Sequence, residues 1–264
     1  MRKYWAYFRS SLIRTLTYRG QLVVFTLASL LSIVPITAVW IGMGSDLAGG
    51  YTKIELISYY VIGLFFQRLV YSSLINYYVS EIVSDGTIVG LFLTKPVSFY
   101  FATFALGVGW MAIAAIVGFV VSVLFNLVIG VSMSIPLTVG MVVASTGAIV
   151  LATVLVFASS LVLGLFSFWT THISSFVSLY WIGLMLFGGI TFPLSFFPDT
   201  IRPLVNLNPF RFMFSFPLEI IFSRLSPGET ITGFLMLLFW ICLFSIFYKI
   251  IWKRGVKVYS GYGQ

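Results

Sequence analysis

Apolar residues run along this chain in blocks of membrane-span length, not in the short periodic stripes of a soluble fold. Six blocks lie at residues 22–43, 57–79, 100–125, 139–166, 173–191 and 231–251. A hydrocarbon layer of about 30 Å takes roughly 20 apolar residues to cross as a helix, so the pattern predicts six transmembrane helices. The stretch Gly42 to Glu55, with Asp46, Gly49, Gly50 and Lys53, parts the first two blocks. A turn around Asn126 to Pro136 parts the third and fourth, and the segment SFWTTHIS parts the fourth and fifth. The polar pattern points the same way. From Pro96 to Pro198, 103 residues pass without one Asp, Glu, Lys or Arg. A soluble domain carries charge on about a quarter of its residues, whereas a charge at mid-membrane costs about 2.5–3.5 kcal/mol or more.

Two segments break the span pattern. Residues 3–19 mix aromatic side chains with Arg9, Arg14 and Arg19, and Trp5, Phe8, Leu12 and Leu16 recur at helical spacing. That stripe predicts an amphipathic helix lying in the membrane interface over residues 1–20, in preference to a plain basic tail. Residues 192–229 are too apolar for an ordinary loop and too rich in proline for a span. Pro193, Pro198, Pro203, Pro209 and Pro217 each disfavour a continued helix. Irregular backbone at membrane depth persists only when buried in protein or lining a cavity. The reading here is two short re-entrant half-helices before the last span, with an interfacial loop as the alternative.

Composition sharpens this picture. Hydrophobic residues make up 60% of the chain, mean hydropathy is +1.07 and charged residues are 8%, which leaves no polar stretch long enough for a separate soluble core. Residues 1–264 therefore form one transmembrane domain. One cysteine, Cys242, and one histidine, His172, offer neither a disulfide framework nor a metal cluster. Some twenty residues precede the first apolar block, which is span-length and holds Pro35. That argues against a cleaved signal peptide. The net charge of +8 is a topological signal and does not point to nucleic acid. Arg2, Lys3, Arg9, Arg14 and Arg19 cluster at one end, and Lys249, Lys253, Arg254 and Lys257 at the other, beside the tail 252–264. By the positive-inside rule both termini face the cytoplasm, as does the loop 80–98. Short loops and basic ends suggest a bacterial inner membrane.

Loop 80–98 reads SEIVSDGTIVGLFLTKPVS. Ile82, Val83, Ile88, Val89, Leu91, Phe92 and Leu93 alternate with Glu81, Asp85 and Lys95. A water-exposed loop has no need of so many apolar side chains, so they are expected to dock on a partner or lie in the interface. Glu81, the turn Ser84-Asp85-Gly86-Thr87 and the ending Thr94-Lys95-Pro96-Val97-Ser98 resemble the coupling segment of type-2 ABC transporter permeases. The N-terminal helix is similar to that family's elbow helix. Asn208-Pro209-Phe210 resembles its Asn/Leu-Pro-Phe element before the sixth span, and the tail KRGVKVYSGYG is similar to the ending of its smaller six-span subgroup. The basic residue that usually follows the coupling glutamate is Ile82 here.

The resemblance implies a permease subunit of an ATP-driven exporter. Its cargo would be a hydrophobic or amphipathic molecule, whether drug-like, lipid or glycolipid. Glu81, Asp85, Gly86 and Thr87 would couple the chain to a cytoplasmic ABC ATPase. A second permease subunit, identical or different, would complete the path. The chain has no G-x-x-x-x-G-K-[ST] phosphate loop, so no cofactor is expected on it and ATP with Mg would be used by the partner. The expectation is thus not an enzyme. Gln67 and Arg68, near the middle of the second block, are candidates for the cavity or the subunit interface, against a structural bond to helix-end carbonyls. His172 is a candidate pH sensor or ATPase contact, against an ordinary turn residue. Arg202, Arg211 and Glu219 are expected to pair with one another or to reach outer headgroups. Two other classes stay open: an ion-coupled secondary transporter, although no Asp or Glu lies inside the six blocks, and a non-transporting membrane scaffold.

Overall fold

In the computed structural model, residues 2–18, 50–129, 138–170 and 172–259 are described, with separate helical positions between 20 and 42. The expected first span, 22–43, lies largely outside the described residues, as do residues 130–137 and the last five. The described residues form helices, turns and short irregular links, with no strand among them. The helices are α1 (Arg2–Thr17), α2 (Lys53–Tyr71), α3 (Asn76–Ser84), α4 (Phe99–Ile129), α5 (Val139–Leu165), α6 (Ser174–Phe187), α7 (Arg202–Leu207), α8 (Pro209–Met213), α9 (Ser215–Ile221) and α10 (Pro227–Val258). A single π-helical turn, Val89–Leu93, lies between α3 and α4.

Four stretches among the described residues are long and apolar enough to cross a membrane: Lys53–Ser84, Phe99–Leu127, Val139–Phe168 and Pro227–Val258. The chain is thus an all-helical, multi-pass membrane protein. Helix α6, at 14 residues, is shorter than a full span. Helix α5 is the central one, with 67% of its most apolar window buried, against 11% for α10. Its hydroxyls are satisfied inside the helix, as an apolar solvent demands. Thr153 Oγ1 donates to the Ile149 carbonyl, Ser159 Oγ to that of Val156 and Ser160 Oγ to that of Phe157, at 2.9–3.0 Å. Local sequence also fixes the helix starts. Thr52 and Glu55 form a capping box on α2, Ser226 and Glu229 form another on α10, and Pro227 sits in the first turn.

The second block departs from the expected continuous helix 57–79. It is broken at residues 72–75, between α2 and α3. Ser72 Oγ donates to the Arg68 carbonyl, and Ser73 Oγ donates to the carbonyls of Val70 (2.7 Å) and Thr153 (3.3 Å). Ser160 Oγ accepts from Ile75 N at 3.3 Å. Adjacent serines thus compete for the helix carbonyls, and α5 takes up a backbone amide that the break frees. Below the break α3 lies tightly on α5, because Gly164 lets the Asn76 carbonyl and Val79 approach. A Cβ there would come within 2.8 Å of both.

Two cores result. Tyr59, Leu56, Leu155, Phe212, Met213, Phe216 and Leu218 pack α2, α5, α8 and α9 around one end of α5. Ile75, Val79, Ile82, Val83, Ile88, Phe92, Phe99, Phe157 and Leu161 pack α3, the π turn, α4 and α5 around the other. The first end carries segment 192–229. The second gathers α1, loop 80–98, the His172 turn and the end of α10.

Candidate functional site

The loop 80–98 is a built structure. Helix α3 stops at Ser84, and Asp85 closes the next turn: its Oδ1 accepts from Thr87 N at 2.9 Å and from Thr87 Oγ1 at 2.7 Å. Gly86 between them has φ +82°, a left-handed conformation in which a side chain is strained. The π turn follows and ends at Thr94, whose Oγ1 donates to the Val89 carbonyl at 3.1 Å. Three of the four acid-turn residues, Glu81, Asp85 and Thr87, are exposed, and Gly86 is half-buried. The structure thus places all four expected coupling residues on one accessible knuckle.

The seven apolar side chains of the loop divide in two. Ile82, Val83, Ile88 and Phe92 are buried in the chain's own core, whereas Val89, Leu91 and Leu93 remain exposed. The expectation that all seven face a partner or lipid is corrected accordingly. The buried four face α4 and α5, because α3 continues the membrane helix down to Ser84 and carries its inward stripe with it. Only the π turn offers an apolar surface outward.

Three other elements hold this knuckle. From α1, Lys3 Nζ donates to the Pro96 carbonyl at 3.2 Å, Tyr7 Oη to that of Leu91 at 3.3 Å, and Tyr4 Oη accepts from Ser98 N at 3.3 Å. Aromatic rings continue the contact: Tyr7 stacks on Phe92, Phe92 meets Phe99 edge-on, and Phe99 stacks on Trp252 of α10 at 4.4 Å. Just past α10, Tyr259 Oη donates to the Val83 carbonyl at 3.1 Å, while its ring packs on Phe168. Burial, with a contribution from Asp85, pushes the Tyr259 hydroxyl above its ordinary value. The knuckle is thus in direct contact with α1, α4 and the end of α10.

Helix α1 meets α4 through small side chains. Ser11 Oγ donates to the Leu106 carbonyl at 2.7 Å, Thr15 is buried, and a Cβ on Gly109 would fall 2.7 Å from Ser11 Cβ. Trp5, Ile13 and Leu16 point outward. Of the expected apolar stripe, Trp5 and Leu16 are exposed while Phe8 and Leu12 are half-buried, and a polar, small-residue stripe carrying Ser11 and Thr15 is the packed face.

At the opposite end, segment 192–229 holds three short helices, α7 to α9, where two half-helices are expected. Pro193 and Pro198 supply carbonyls to the turns that follow them. Asn208 caps α8 by accepting from Arg211 N at 3.2 Å, Pro209 takes the first helical position, and Phe210 packs its ring on Gly183 of α6. Arg211 and Glu219 pair at 2.6 Å with little exposure, and Ser215 Oγ donates to the second Glu219 oxygen at 2.9 Å. Arg202 pairs with Asp199 instead. Arg224, which carries no local signal in the sequence, completes this end. Arg224 pairs with Glu55 at 2.9 Å, donates to the Gly50 carbonyl and lies 4.2 Å over the Tyr51 ring. Burial, with Glu219 and Glu55 adding and Arg224 opposing, pushes the Tyr51 hydroxyl up to about 12. Tyr59 and Tyr60 donate to the carbonyls of Gly189 and Thr191, each at 2.7 Å, and so tie α2 to the start of the segment.

Gln67 and Arg68 belong to neither end. Both are half-buried on α2, and the Arg68 stem packs against Gly118 of α4, where a Cβ would lie 2.6 Å from it. His172 is exposed, its backbone amide donating to Thr170 Oγ1 at 3.4 Å. Among the described residues no group of His, Cys, Asp and Glu is arranged to hold a metal.

Comparison with curated proteins returns no significant match. A family model described as "ABC-2 family transporter protein" matches residues 23–263, a range that takes in the knuckle, the proline-rich segment and all the long helices after α1. The chain is a member of the ABC-2 family of transporter proteins, whose chains are the membrane permease components of ABC transporters.

Proposed function

We propose that this chain is the membrane-spanning subunit of an ATP-driven exporter and receives its power stroke at the knuckle Glu81–Leu93. Six spans are formed by 22–43, the broken pair α2–α3, α4, α5, α6 and α10, with both termini in the cytoplasm of a bacterial cell. A separate ABC ATPase, which uses ATP and Mg, seats against Val89, Leu91 and Leu93 with Glu81 and Asp85 at the rim. A second permease subunit completes a path for a hydrophobic or amphipathic molecule. The observation that carries this reading is the division within the loop: four apolar side chains anchor it to the chain's own core, and three are left outward on a rigid turn braced by α1, α4 and α10. Exposed apolar side chains on a soluble-side turn mark a contact surface, and the bracing lets a push on that surface move helices. The Arg211–Glu219 and Arg224–Glu55 pairs act as the opposing outer latch.

The test is co-purification of the tagged chain from native membranes in mild detergent. Recovery of an ABC ATPase with the wild-type chain, and its loss on Glu81→Lys with Asp85→Lys, is the expected result. An ATPase bound equally by the reversed variant, or none bound by either, overturns the assignment.

A further inference from the structure

A cavity of about 650 Å³ opens between α1, the α2–α3 break and the knuckle, within the roughly 300–1,000 Å³ range of small-molecule sites. Its wall is divided by chemistry. Arg14 of α1 and Glu81 of α3 both line it, and the aromatic rings of Tyr7 and Tyr78 stand with them; Leu74, Leu106 and Trp110 supply an apolar side. Both charges lie in electrostatic reach of the Tyr78 hydroxyl, as does the Asp85 carboxylate at the adjoining turn. Among the described residues the ion pairs are Arg202–Asp199, Arg211–Glu219 and Arg224–Glu55, so Arg14 and Glu81 are committed to none of them.

We infer that the cavity is a binding site for a resident zwitterionic phospholipid, of the phosphoethanolamine headgroup class. A purely anionic headgroup would meet Glu81, and a purely cationic ligand would meet Arg14. A phosphate joined to an ammonium satisfies both, with the phosphate on the Arg14 guanidinium and the ammonium on Glu81 beside the tyrosine faces. The apolar side receives the first segments of the acyl chains. The lipid is a structural ligand and not cargo. It bridges α1 to the knuckle, since Tyr7 also bonds Leu91 and stacks on Phe92. The inference rests on the interfacial placement of α1 in the reading above.

The test uses the complete complex, reconstituted in vesicles of equal phosphatidylethanolamine and phosphatidylglycerol and re-extracted. Bound lipid is counted by native mass spectrometry, and ATPase recovery is scored on the same samples. Retention of phosphatidylethanolamine over phosphatidylglycerol is expected. Arg14→Ala and Glu81→Gln should each lower it by about tenfold, the scale of one charge-assisted contact, while Arg254→Ala, which removes a basic charge outside the cavity, should leave it intact. Preference for phosphatidylglycerol, or equal retention in all variants, overturns the inference. So does thermal protection by inorganic phosphate that depends on Arg14 without any lipid retained, which would mark a free-anion site. Failure of the lipid preference with ATPase still recovered sinks this inference alone. A wild-type sample without ATPase sinks the functional reading, and its lipid count still decides the cavity.

Discussion

Replacing Gly86 by alanine is the most discriminating single change in the knuckle. Its φ of +82° lies where an L side chain crowds the neighbouring carbonyl, at a cost of about 1–2 kcal/mol. What closes this turn is of the same size. The two bonds from Thr87 to Asp85 are exposed, and each contributes about 0.5–1.5 kcal/mol at most. On either side, Ile82, Val83, Ile88 and Phe92 remain buried, so the chain stays folded and the loss is confined to the turn. A shift of about 1 kcal/mol changes the local opening equilibrium roughly fivefold. Hydrogen–deuterium exchange of the detergent-purified protein reads this directly, at amides whose bonds define the turn: Thr87 to Asp85 Oδ1, Val89 to the Gly86 carbonyl, Leu91 to the Thr87 carbonyl. Gly86→Ala should speed exchange there about fivefold, with ATPase recovery falling in parallel. Gly86→Asn, which accepts the left-handed region, should stay near wild type. Equal exchange in Gly86→Ala and the wild type would refute the strain argument, and equal loss in both variants would show that the side chain itself clashes with the partner.

Three further outcomes follow from the packing. Gly109→Val should overpack the α1–α4 contact by about 1–3 kcal/mol, since a Cβ there falls 2.7 Å from Ser11 Cβ and 2.8 Å from the Phe8 carbonyl oxygen; trypsin should then cut faster after Arg9 and Arg14. Arg211→Met should lower the thermal midpoint by an amount equivalent to about 3–5 kcal/mol, because it strands Glu219, and Arg211→Met with Glu219→Gln should recover most of it. A double variant no better than the single would count against the pair as the cause. Tyr259→Phe keeps the ring on Phe168 and removes one bond to Val83, so it should cost about 0.5–1.5 kcal/mol and loosen exchange at α3 while leaving segment 192–229 unchanged.

Much of this molecule is legible in the sequence, because a bilayer imposes a simple grammar of apolar length and charge. The starts of α4 at Phe99 and α5 at Val139 fall within a residue of the blocks at 100 and 139. The knuckle is legible because its acidic turn, its glycine and its closing threonine are consecutive. The break at 72–75 was hidden by averaging over an apolar block, although the Ser72-Ser73 pair and Asn76 are its local signal. The outward division of the loop is set by the fold, since alternation alone does not say that α3 runs on to Ser84. Which face of α1 packs on the protein has no apolar signal in the sequence: Ser11 and Thr15 pack against α4 because Gly109 allows close backbone approach. The pairing of Arg224 with Glu55 joins residues 169 positions apart, and only the fold brings them together.

The central claim is that Val89, Leu91 and Leu93 are the seat of an ATPase. Site-specific photo-crosslinking from each of these positions in native membranes tests it most directly, with Trp5, outward on α1, as the control position. Crosslinks to a nucleotide-binding ABC ATPase from the π turn, and none from Trp5, are the predicted result. Crosslinks from the π turn to lipid or to integral membrane proteins, without any ATPase adduct, would contradict the account.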